Sequence, residues 1–410
     1  MSAFSSRSRA LGGIAIAAAS VLVLAGCASG STDSKPAGDL TLKVGTVLPQ
    51  TGNLAFLGPP EEAGVALAVE EINAAKAGIT VDVTYGDSGD PDNKAYETTV
   101  PKLLDSGVSV IIGAAASGVS KLFIDQVTGA GVLQISPANT SPDFTTWDDN
   151  NLFWRTAPSD LLQGEVLGNL IAEDGAETLG VLYLNDAYGT GLEKVTTEVF
   201  EAAGGKVVAT ESYNSGDTSF DAQISAIVAA KPDKIALITF EEIYTILPAI
   251  IAAGINPNQL YLVDGNLKSD IAEKIGQSVE GMKGTAPAPK LTDDFKQRMS
   301  DAWVALGNEP LVDYLYGAEA YDATVLVALA SLAAGSTNGV DIAEQMGKIS
   351  GGDGEVCEAF ADCAALLKDG KSINYDGPSG GIAFDEAGDP TEATIGIFEF
   401  GADGTMNRKN

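Results

Sequence analysis

The sequence contains no histidine, and this absence excludes several kinds of functional site. Ser-His and Cys-His nucleophilic catalysis both need an imidazole as general base, and imidazole is also the commonest protein ligand for zinc. Asp87, Asp90 and Asp92 are spaced somewhat like the ligands of a calcium loop. However, Pro91 and the lack of a glutamate at the right distance argue against such a site. We therefore expect no histidine-dependent catalysis and no metal.

The chain is also poor in positive charge, with 24 Lys and Arg against 56 Asp and Glu and a formal net charge of −32. Such a surface repels nucleic acid and anionic lipid headgroups. Hydrophobic residues make up 45% of the sequence, which argues against disorder in the main body of the chain. We therefore expect a folded, acidic protein that binds no nucleic acid.

The N-terminal segment has the layout of a secretory signal. Arg7 and Arg9 precede an apolar run from Ala10 to Ala25, and the segment closes with Leu24-Ala25-Gly26-Cys27. This ending resembles a bacterial lipoprotein signal, whose cysteine becomes the lipid-modified first residue of the mature protein. An uncleaved anchor is the alternative, but the run is shorter than the roughly 20 residues that span a bilayer.

The predicted signal therefore covers residues 1–26, and Cys27 is the predicted lipidation site. Residues 27–39 are rich in Ser, Gly, Thr and Asp, which is typical of a flexible spacer. No later apolar stretch is long and clean enough to cross a bilayer, so the lipid is the only membrane attachment that we expect.

Cys357 and Cys363 are the cysteines that remain. In an exported protein we expect such a pair to be oxidised, with two free thiols as the alternative. Six residues of helix rise roughly 9 Å, whereas bridged Cα atoms lie within about 7 Å of each other. A disulfide therefore requires a turn or a broken helix end between the two cysteines.

Short apolar strands alternate with amphipathic helices from Leu40 onward. The predicted strands are Leu42–Leu48, Thr80–Tyr85, Val108–Ile112, Val132–Ile135, Leu179–Tyr183, Lys206–Glu211, Lys234–Ile238 and Leu260–Val263. Beyond Pro287 the pattern changes to two long helices, at Asp293–Leu306 and Leu315–Ala334, and a hairpin-like strand pair, at Gly381–Phe384 and Ala393–Phe400.

Strands that alternate with helices indicate parallel sheets built from β-α-β units. Two consecutive sets of such units predict an α/β fold with two doubly wound, Rossmann-like lobes joined by a multi-strand hinge. We expect an N-terminal lobe at residues 40–156 and 285–388 and a C-terminal lobe at residues 157–284 and 389–410. The chain would cross between them near Arg155–Pro158, Met282–Thr285 and Ala387–Thr394.

Ligands of open parallel sheets bind beyond the carboxyl ends of the strands, so two facing lobes would enclose a polar cleft. The segments near these ends include Leu48-Pro49-Gln50-Thr51-Gly52, Ile112–Ser117, Ser136–Pro142, Phe153–Thr156 and Asn185–Gly191. A further segment, Ala320–Ala323, lies on a later predicted helix. Their order and spacing, from about Leu40 to Met406, resemble the extracytoplasmic solute-binding proteins of ABC transporters. The resemblance is to the leucine/isoleucine/valine-binding, type I periplasmic binding protein family.

The resemblance implies how an amino-acid ligand would be held. Ser117 and Thr140 would bind its α-carboxylate or α-ammonium group through their hydroxyls, and the Ala138 carbonyl would accept from the ammonium. Tyr188 would close the site from the second lobe. Asp264 falls where the family places a glutamate that pairs with the ammonium, although aspartate is one methylene shorter.

The remaining ligand-binding residues of this prediction are Ala115, Leu57 and Phe240. The resemblance places the family's first-loop aromatic at Leu57 and its second-lobe aromatic at or next to Phe240, and these departures leave the preferred side chain open. Other roles fit five of these residues. Ser117 is also a good helix N-cap, and Thr140 and Asp264 also fit ordinary turns. Tyr188 and Phe240 could simply pack in the core.

We predict a lipid-anchored substrate-binding receptor of an ABC importer on the extracytoplasmic face of the cell membrane. It would capture a small amino acid, such as a branched-chain one, or a related polar solute, and deliver it to the permease. The expected partners are the permease and ATPase subunits, the expected state is a monomer, and no cofactor or catalysis is expected. The alternatives are a secreted hydrolase that uses Asp and Glu and a sensory module that binds solute without a permease.

Overall fold

The computed structural model describes residues 39–410, so the predicted signal, Cys27 and all but the last residue of the predicted spacer lie outside the described residues. The β-strands in chain order are β1 Leu40–Val47, β2 Ile79–Thr84, β3 Val110–Gly113, β4 Leu133–Ser136, β5 Phe153–Arg155, β6 Thr178–Leu184, β7 Lys206–Tyr213, β8 Lys234–Ile238, β9 Leu260–Leu262, β10 Lys283–Pro287, β11 Glu355–Cys357, β12 Ile373–Gly377, β13 Gly380–Gly381, β14 Ile395–Phe400 and β15 Met406–Arg408.

The α-helices follow the same chain order. They are α1 Gly58–Ala75, α2 Tyr96–Asp105, α3 Ser117–Ser120, α4 Ile124–Gly129, α5 Asp160–Glu173, α6 Ala187–Ala202, α7 Asp221–Ala230, α8 Ile243–Ala252, α9 Ile271–Ile275, α10 Asp293–Ala305, α11 Gly317–Ala334, α12 Gly339–Ile349 and α13 Phe360–Lys368.

The first lobe is built on a parallel five-stranded sheet with the order β2-β1-β3-β4-β5. Its strands β3 and β4 are buried along their whole length, as expected of central strands covered by helices on both faces. Helices α10 to α13 return to this lobe after β10 of the second lobe, and α11 packs along α1. Where these two helices cross, a Cβ atom added to Gly64 would lie 2.1 Å from the Gly317 carbonyl oxygen. The helices can therefore approach this closely only because residue 64 is glycine.

The second lobe is built on a seven-stranded sheet with the order β15-β14-β10-β9-β8-β6-β7. Strands β6 to β10 are parallel, and β14 and β15 add an antiparallel edge. Local capping sets where several helices start. Ser159 accepts from the Leu161 amide before α5, and Asp186 accepts from the Gly189 amide before α6. The predicted α/β fold with two doubly wound lobes is confirmed.

The predicted hairpin between residues 381–384 and 393–400 is wrong. Gly381 pairs with β12 in a small third sheet, whereas β14 pairs with β10 and β15 in the second lobe. A single bridge between Phe384 and Pro390 is what connects the two segments. The reason is that the chain between them crosses from one lobe to the other, so each segment completes a different sheet.

The predicted domain boundaries remain a proposal, and the sheets give two relevant facts. The first sheet ends at Arg155, at the first predicted crossing. Strand β10 stays in the second sheet as far as Pro287, which is past the predicted boundary at residue 285.

Cys357 and Cys363 form a disulfide whose Cα atoms lie 5.4 Å apart. Strand β11 ends at Cys357 and helix α13 begins at Phe360, so the chain turns between the cysteines, as the spacing argument requires. Helix α11 is long and apolar enough to cross a membrane by length and composition, but 83% of it is buried inside the protein. It is therefore the core helix of the first lobe.

A buried ion pair joins two of the lobe crossings. The Arg155 guanidinium donates from Nε and Nη2 to the two carboxylate oxygens of Asp389, both at 2.6 Å, and its side chain is 0% exposed. Its Nη1 donates to the carbonyls of Asn139 and Ser141 in the loop after β4. One side chain thus fixes the first crossing, the third crossing and a loop at the end of the first sheet.

We expect Asp389→Asn to destabilise the fold by about 3–5 kcal/mol, because it leaves the Arg155 cation buried without its counter-charge. Urea denaturation at neutral pH measures this loss. Asp143→Asn is the matched control. It removes the acid of an ion pair with Lys121 whose side chains are 31% and 54% exposed, and it should cost at most about 1 kcal/mol. Equal losses in the two variants would contradict the assigned role of Arg155.

Candidate functional site

The loops at the carboxyl ends of both sheets meet around one small cavity between the lobes. The residues that line it are Leu54, Leu57, Ala115, Ala116, Ser117, Ala138, Thr140, Tyr188, Phe240, Asp264, Gly265 and Tyr316. All eight ligand-binding residues predicted from the sequence are in this set, although they come from both lobes. Whether they contact a ligand remains a prediction.

Asp264 is the acidic residue among the described residues that line this cavity, and it is 5% exposed. Its Oδ1 accepts from the Tyr188 hydroxyl at 2.7 Å and from Gln163 Nε2 at 2.9 Å, and its Oδ2 accepts from the Tyr316 hydroxyl at 2.8 Å. Burial raises the pKa of Asp264, and these three hydrogen bonds oppose the rise. Asp264 is therefore held rigidly by donors that favour its charged form.

A second carboxyl group lies close behind Asp264. Asp160, the first residue of α5, is 0% exposed. Neither of its carboxylate oxygens forms a hydrogen bond of good geometry with another described residue, although the nearby Thr140 side chain acts to lower its pKa. Burial, followed by repulsion from Asp264, raises the pKa of Asp160 well above its usual range. Two neighbouring buried carboxylates cannot both stay charged at low cost, so Asp160, whose pKa is raised further, is the more readily protonated of the pair.

Two aromatic rings form the wall contributed by the second lobe. Tyr188 and Phe240 stack with their ring centroids 5.3 Å apart and an angle of 15° between their planes. They are 3% and 4% exposed, so they are part of the core and also face the cavity. The two roles proposed for them from the sequence are therefore compatible.

Ser117 and its neighbours form the first-lobe side. Ala116, not Ser117, occupies the N-cap position of α3, and Ser117 is the first helical residue. Its hydroxyl oxygen accepts from the Ser141 amide at 3.3 Å, so the interpretation of Ser117 as an N-cap alone is wrong. At this position the Ser117 amide has no acceptor within its own helix and can point to a ligand.

The loop that carries Ala138 and Thr140 is fixed by buried hydrogen bonds. Asn139 Nδ2 donates to the Ala115 carbonyl at 2.8 Å, which joins this loop to the one after β3. The Ser136 hydroxyl donates to the Ala114 carbonyl at 2.7 Å. Together with the Arg155 contacts, these bonds make the first-lobe side of the cavity a rigid surface.

Direct contacts between the lobes close the entrance. Lys268 Nζ of the second lobe lies 3.8 Å from the centre of the Phe56 ring of the first lobe. The Ser215 hydroxyl donates to Asp92 Oδ2 at 2.7 Å. A Cβ atom added to Gly118 would lie 2.6 Å from Asp186 Oδ2, so glycine at residue 118 permits the two lobes to approach each other here. The lobes are therefore in a closed arrangement.

The closed cavity is small. It leaves about 10 Å³ for the centre of a water-sized sphere, close to the minimum of ~10–15 Å³ that one water needs. An amino acid can therefore enter only when the lobes separate or the side chains around Asp264 move.

The three aspartates with calcium-like spacing organise loops. Asp87 accepts from the Gln50 and Thr51 amides at 3.0 and 3.1 Å, and Asp90 accepts from the amides of Asp92 and Asn93. Over residues 39–410, no group of three or more acidic or cysteine side chains is arranged to hold a metal ion.

Four residues of the site were missed by sequence reasoning. Ala116 lies inside the strand-end segment Ile112–Ser117, Gly265 directly follows Asp264, and Leu54 lies three residues before Leu57, so the strand-end argument could have included them. Tyr316 follows no strand. It precedes α11 and has a positive φ of 60°, which a sequence pattern does not reveal for a tyrosine.

Comparisons with known proteins agree with this architecture. The family described as periplasmic binding protein matches residues 41–405. The leucine-, isoleucine-, valine-, threonine- and alanine-binding protein of Pseudomonas aeruginosa is 28% identical over 370 residues, which cover 89% of this chain and 91% of that protein.

Two solved structures share the fold. A leucine-binding protein from Thermotoga maritima has a TM-score of 0.73 at 23% identity and covers 90% of this chain and 98% of its own. A branched-chain amino acid transporter substrate-binding protein from Streptococcus pneumoniae, in complex with isoleucine, has a TM-score of 0.70 at 24% identity. It covers 90% of this chain and 100% of its own.

The chain therefore belongs to the periplasmic binding protein family, type I. This family consists of solute-binding proteins of transporters, so the protein is a solute-binding protein and not an enzyme. The resemblance recognised in the sequence is confirmed, and the alternative of a secreted hydrolase is excluded.

The raised pKa of Asp160 predicts a pH-dependent stability. Folded Asp160 keeps a proton that the unfolded chain releases above its ordinary pKa of 3.8, so stability falls as pH rises from about 4 towards the raised value. Asp160→Asn removes this titration, and we expect its stability to fall less between pH 5 and pH 8. Urea denaturation at both pH values tests this. The exposed Asp82→Asn variant is the control and should follow the wild type.

Proposed function

We propose that this protein is the extracytoplasmic substrate-binding component of an ABC importer, and that its cleft binds a small amino acid with an aliphatic side chain. The observation that carries the proposal is Asp264, a buried carboxylate facing a cavity with mainly apolar and hydroxyl-bearing walls. The related Pseudomonas aeruginosa protein is named for leucine, isoleucine, valine, threonine and alanine, which supports this class of ligand.

Asp264 is the proposed partner of the ligand's ammonium group. An ionised carboxylate accepts up to about four hydrogen bonds, and Asp264 receives three from protein side chains. It therefore retains capacity for one charge-assisted bond from an ammonium group. A zwitterion closed into the cleft needs this counter-charge, because an unpaired buried charge costs several kcal/mol.

The ligand's carboxylate would lie on the first-lobe side. The Ser117 and Thr140 hydroxyls line the cavity there, and the Ser117 amide adds a backbone donor. No basic side chain lines this cavity among the described residues. Neutral donors would therefore hold the carboxylate, and the ligand would be bound as a zwitterion with no net charge.

The ligand's side chain would contact Leu54, Leu57 and Phe240. These residues are at most 4% exposed and bring no hydrogen-bonding side-chain group to the cavity. An aliphatic side chain would gain from contact with them, whereas a charged one would lose its hydration without a partner.

Binding would be coupled to hinge motion. Tyr316 of the first lobe donates to Asp264 of the second lobe, so the same carboxylate that would bind the ammonium also connects the closed lobes. A ligand in contact with both lobes would favour the closed arrangement over the open one. The permease and ATPase subunits would recognise that closed form, and the lipid on Cys27 would keep the protein at the membrane.

The first test concerns the ammonium partner. We expect wild-type protein to bind leucine, isoleucine or valine in calorimetry. Asp264→Asn keeps the shape but removes the charge, and it should weaken binding by roughly 30- to 1,000-fold, or about 2–4 kcal/mol. Ser117→Ala should cost only about 1–2 kcal/mol, because backbone donors to the carboxylate remain.

Asp221→Asn is the control for these measurements, since Asp221 is exposed on α7 and does not line the cavity. A thermal-shift screen that includes urea and small amides should precede calorimetry, because a ligand at 100 times its Kd stabilises by about 2.7 kcal/mol. Wild-type affinity in Asp264→Asn would mean that the ligand has no ammonium group or that its partner lies elsewhere.

The second test concerns the anchor. We expect Cys27→Ser to release the protein from the membrane fraction of its native host, because one acyl chain alone binds membranes only marginally and a diacylated cysteine provides stable attachment. Cell fractionation and the mass of the mature protein measure this. If the variant stays in the membrane fraction with an unchanged mature mass, the lipoprotein proposal is wrong.

A further inference from the structure

A second cavity shares Tyr316 with the cleft. It has a volume of about 430 Å³, which falls within the roughly 300–1,000 Å³ of known small-molecule sites. It lies where the chain leaves β10 for the first lobe and where the loop before α11 reaches the edge strands β14 and β15. Both lobes and the second crossing therefore contribute to its walls.

Most of the wall of this cavity is apolar. Ala286, Phe398 and Met406 contribute from the second sheet, and Leu315 contributes from the loop before α11. Val312 at its rim is 92% exposed, the highest value among the exposed large hydrophobic residues of the described chain. An apolar molecule in the cavity would cover this surface and gain its burial free energy.

Basic residues outnumber acidic ones around this cavity, whereas acidic residues predominate in the whole protein. The chain has 24 basic and 56 acidic residues, but this cavity is lined by Lys290, Lys296 and Arg408 with Asp313 as its one acid. Asp313 Oδ1 already accepts from the amides of Tyr314 and Leu315 at 2.6 and 3.0 Å. The local charge therefore favours an anion.

Arg408 provides an independent indication of where that anion would bind. Its Nη1 donates to the Ala288 carbonyl, and its Nε donates to a main-chain carboxyl oxygen of Asn410, the last residue of the printed sequence, at 3.0 Å. Its Nη2 is buried and has no hydrogen-bond partner among the described residues. A buried donor without a partner, and a charged one above all, is costly, and a carboxylate oxygen would remove that cost.

We propose that this cavity is a second binding site, distinct from the cleft, for a small amphiphilic carboxylate whose acid group pairs with Arg408 and whose apolar body contacts Phe398 and Met406. The site would favour a carboxylate over an amino acid, because among the described residues that line it three basic side chains face the single acid Asp313, whose Oδ1 already accepts two amide hydrogen bonds. Its ligand class therefore differs from that of the cleft by the absence of the ammonium.

Calorimetry with 4-methylpentanoate tests the proposal. This probe has the carbon skeleton of leucine without the ammonium group. We expect one molecule to bind per protein, both in the absence of leucine and in its presence at saturation. The uncharged 4-methylpentan-1-ol should bind at least about tenfold more weakly, because it cannot form the charge-assisted bonds.

Two variants locate the site. Arg408→Gln should weaken 4-methylpentanoate binding at least about tenfold, whereas Lys409→Gln should stay within about twofold of wild type. Lys409 is the adjacent residue, and its exposed side chain forms an ion pair at 3.2 Å with the half-buried Glu399. Ala288→Leu fills the cavity without removing a charge and should also abolish binding, which keeps the test valid if Arg408→Gln folds poorly.

Three results would overturn the proposal. The first is no binding of 4-methylpentanoate to the wild type, and the second is loss of its binding when leucine saturates the cleft. The third is unchanged affinity in a folded Arg408→Gln or Ala288→Leu variant, with folding judged by thermal unfolding.

Discussion

The buried pair of Arg155 and Asp389 is the interaction on which the rest of the architecture depends. Its two short hydrogen bonds join chain segments that are 234 residues apart, at two of the points where the chain passes between lobes. The same guanidinium holds the loop that carries Ala138 and Thr140. Buried ion pairs add little net stability but are costly to break, so this pair fixes the geometry of the hinge and of one side of the cleft.

A second constraint is the number of carboxyl groups in the interior. Glu61, Asp160 and Glu319 are almost completely buried, and each has at least one carboxylate oxygen without a partner among the described residues. Burial raises the pKa of each of them, to about 8 for Glu319. Such groups are most easily kept inside when protonated, so their contribution to stability decreases as pH rises. Burial raises the pKa of Asp264 as well, but three side-chain donors favour its charged form, and this difference from Glu61, Asp160 and Glu319 makes it the group in the cleft suited to pair with a cation.

The strand-end argument predicted much of the fold and of the site. Parallel strands place their carboxyl ends at one edge of a sheet, so residues such as Ser117, Thr140 and Asp264 had to converge if the β-α-β pattern was right. The same argument failed for the segments beyond Pro287. There the pattern predicted a hairpin, whereas β14 completes the second lobe and Gly381 pairs in a separate sheet, because pairing of such short strands depends on which lobe the chain has reached.

The sequence by itself determined the α/β class, the succession of two lobes, the turn between Cys357 and Cys363, and the residues that follow each strand, since these depend on local periodicity and spacing. Tertiary structure alone decided that Tyr316 reaches Asp264, that Arg155 meets Asp389, and that Asp160 lies fully buried behind the cleft. Although Arg155 and Asp264 stand at or near strand ends, nothing in the sequence around them identifies the residues that they contact. Their contacts span 52 and 234 residues and form only when the returning chain packs against both lobes, so no local pattern encodes them.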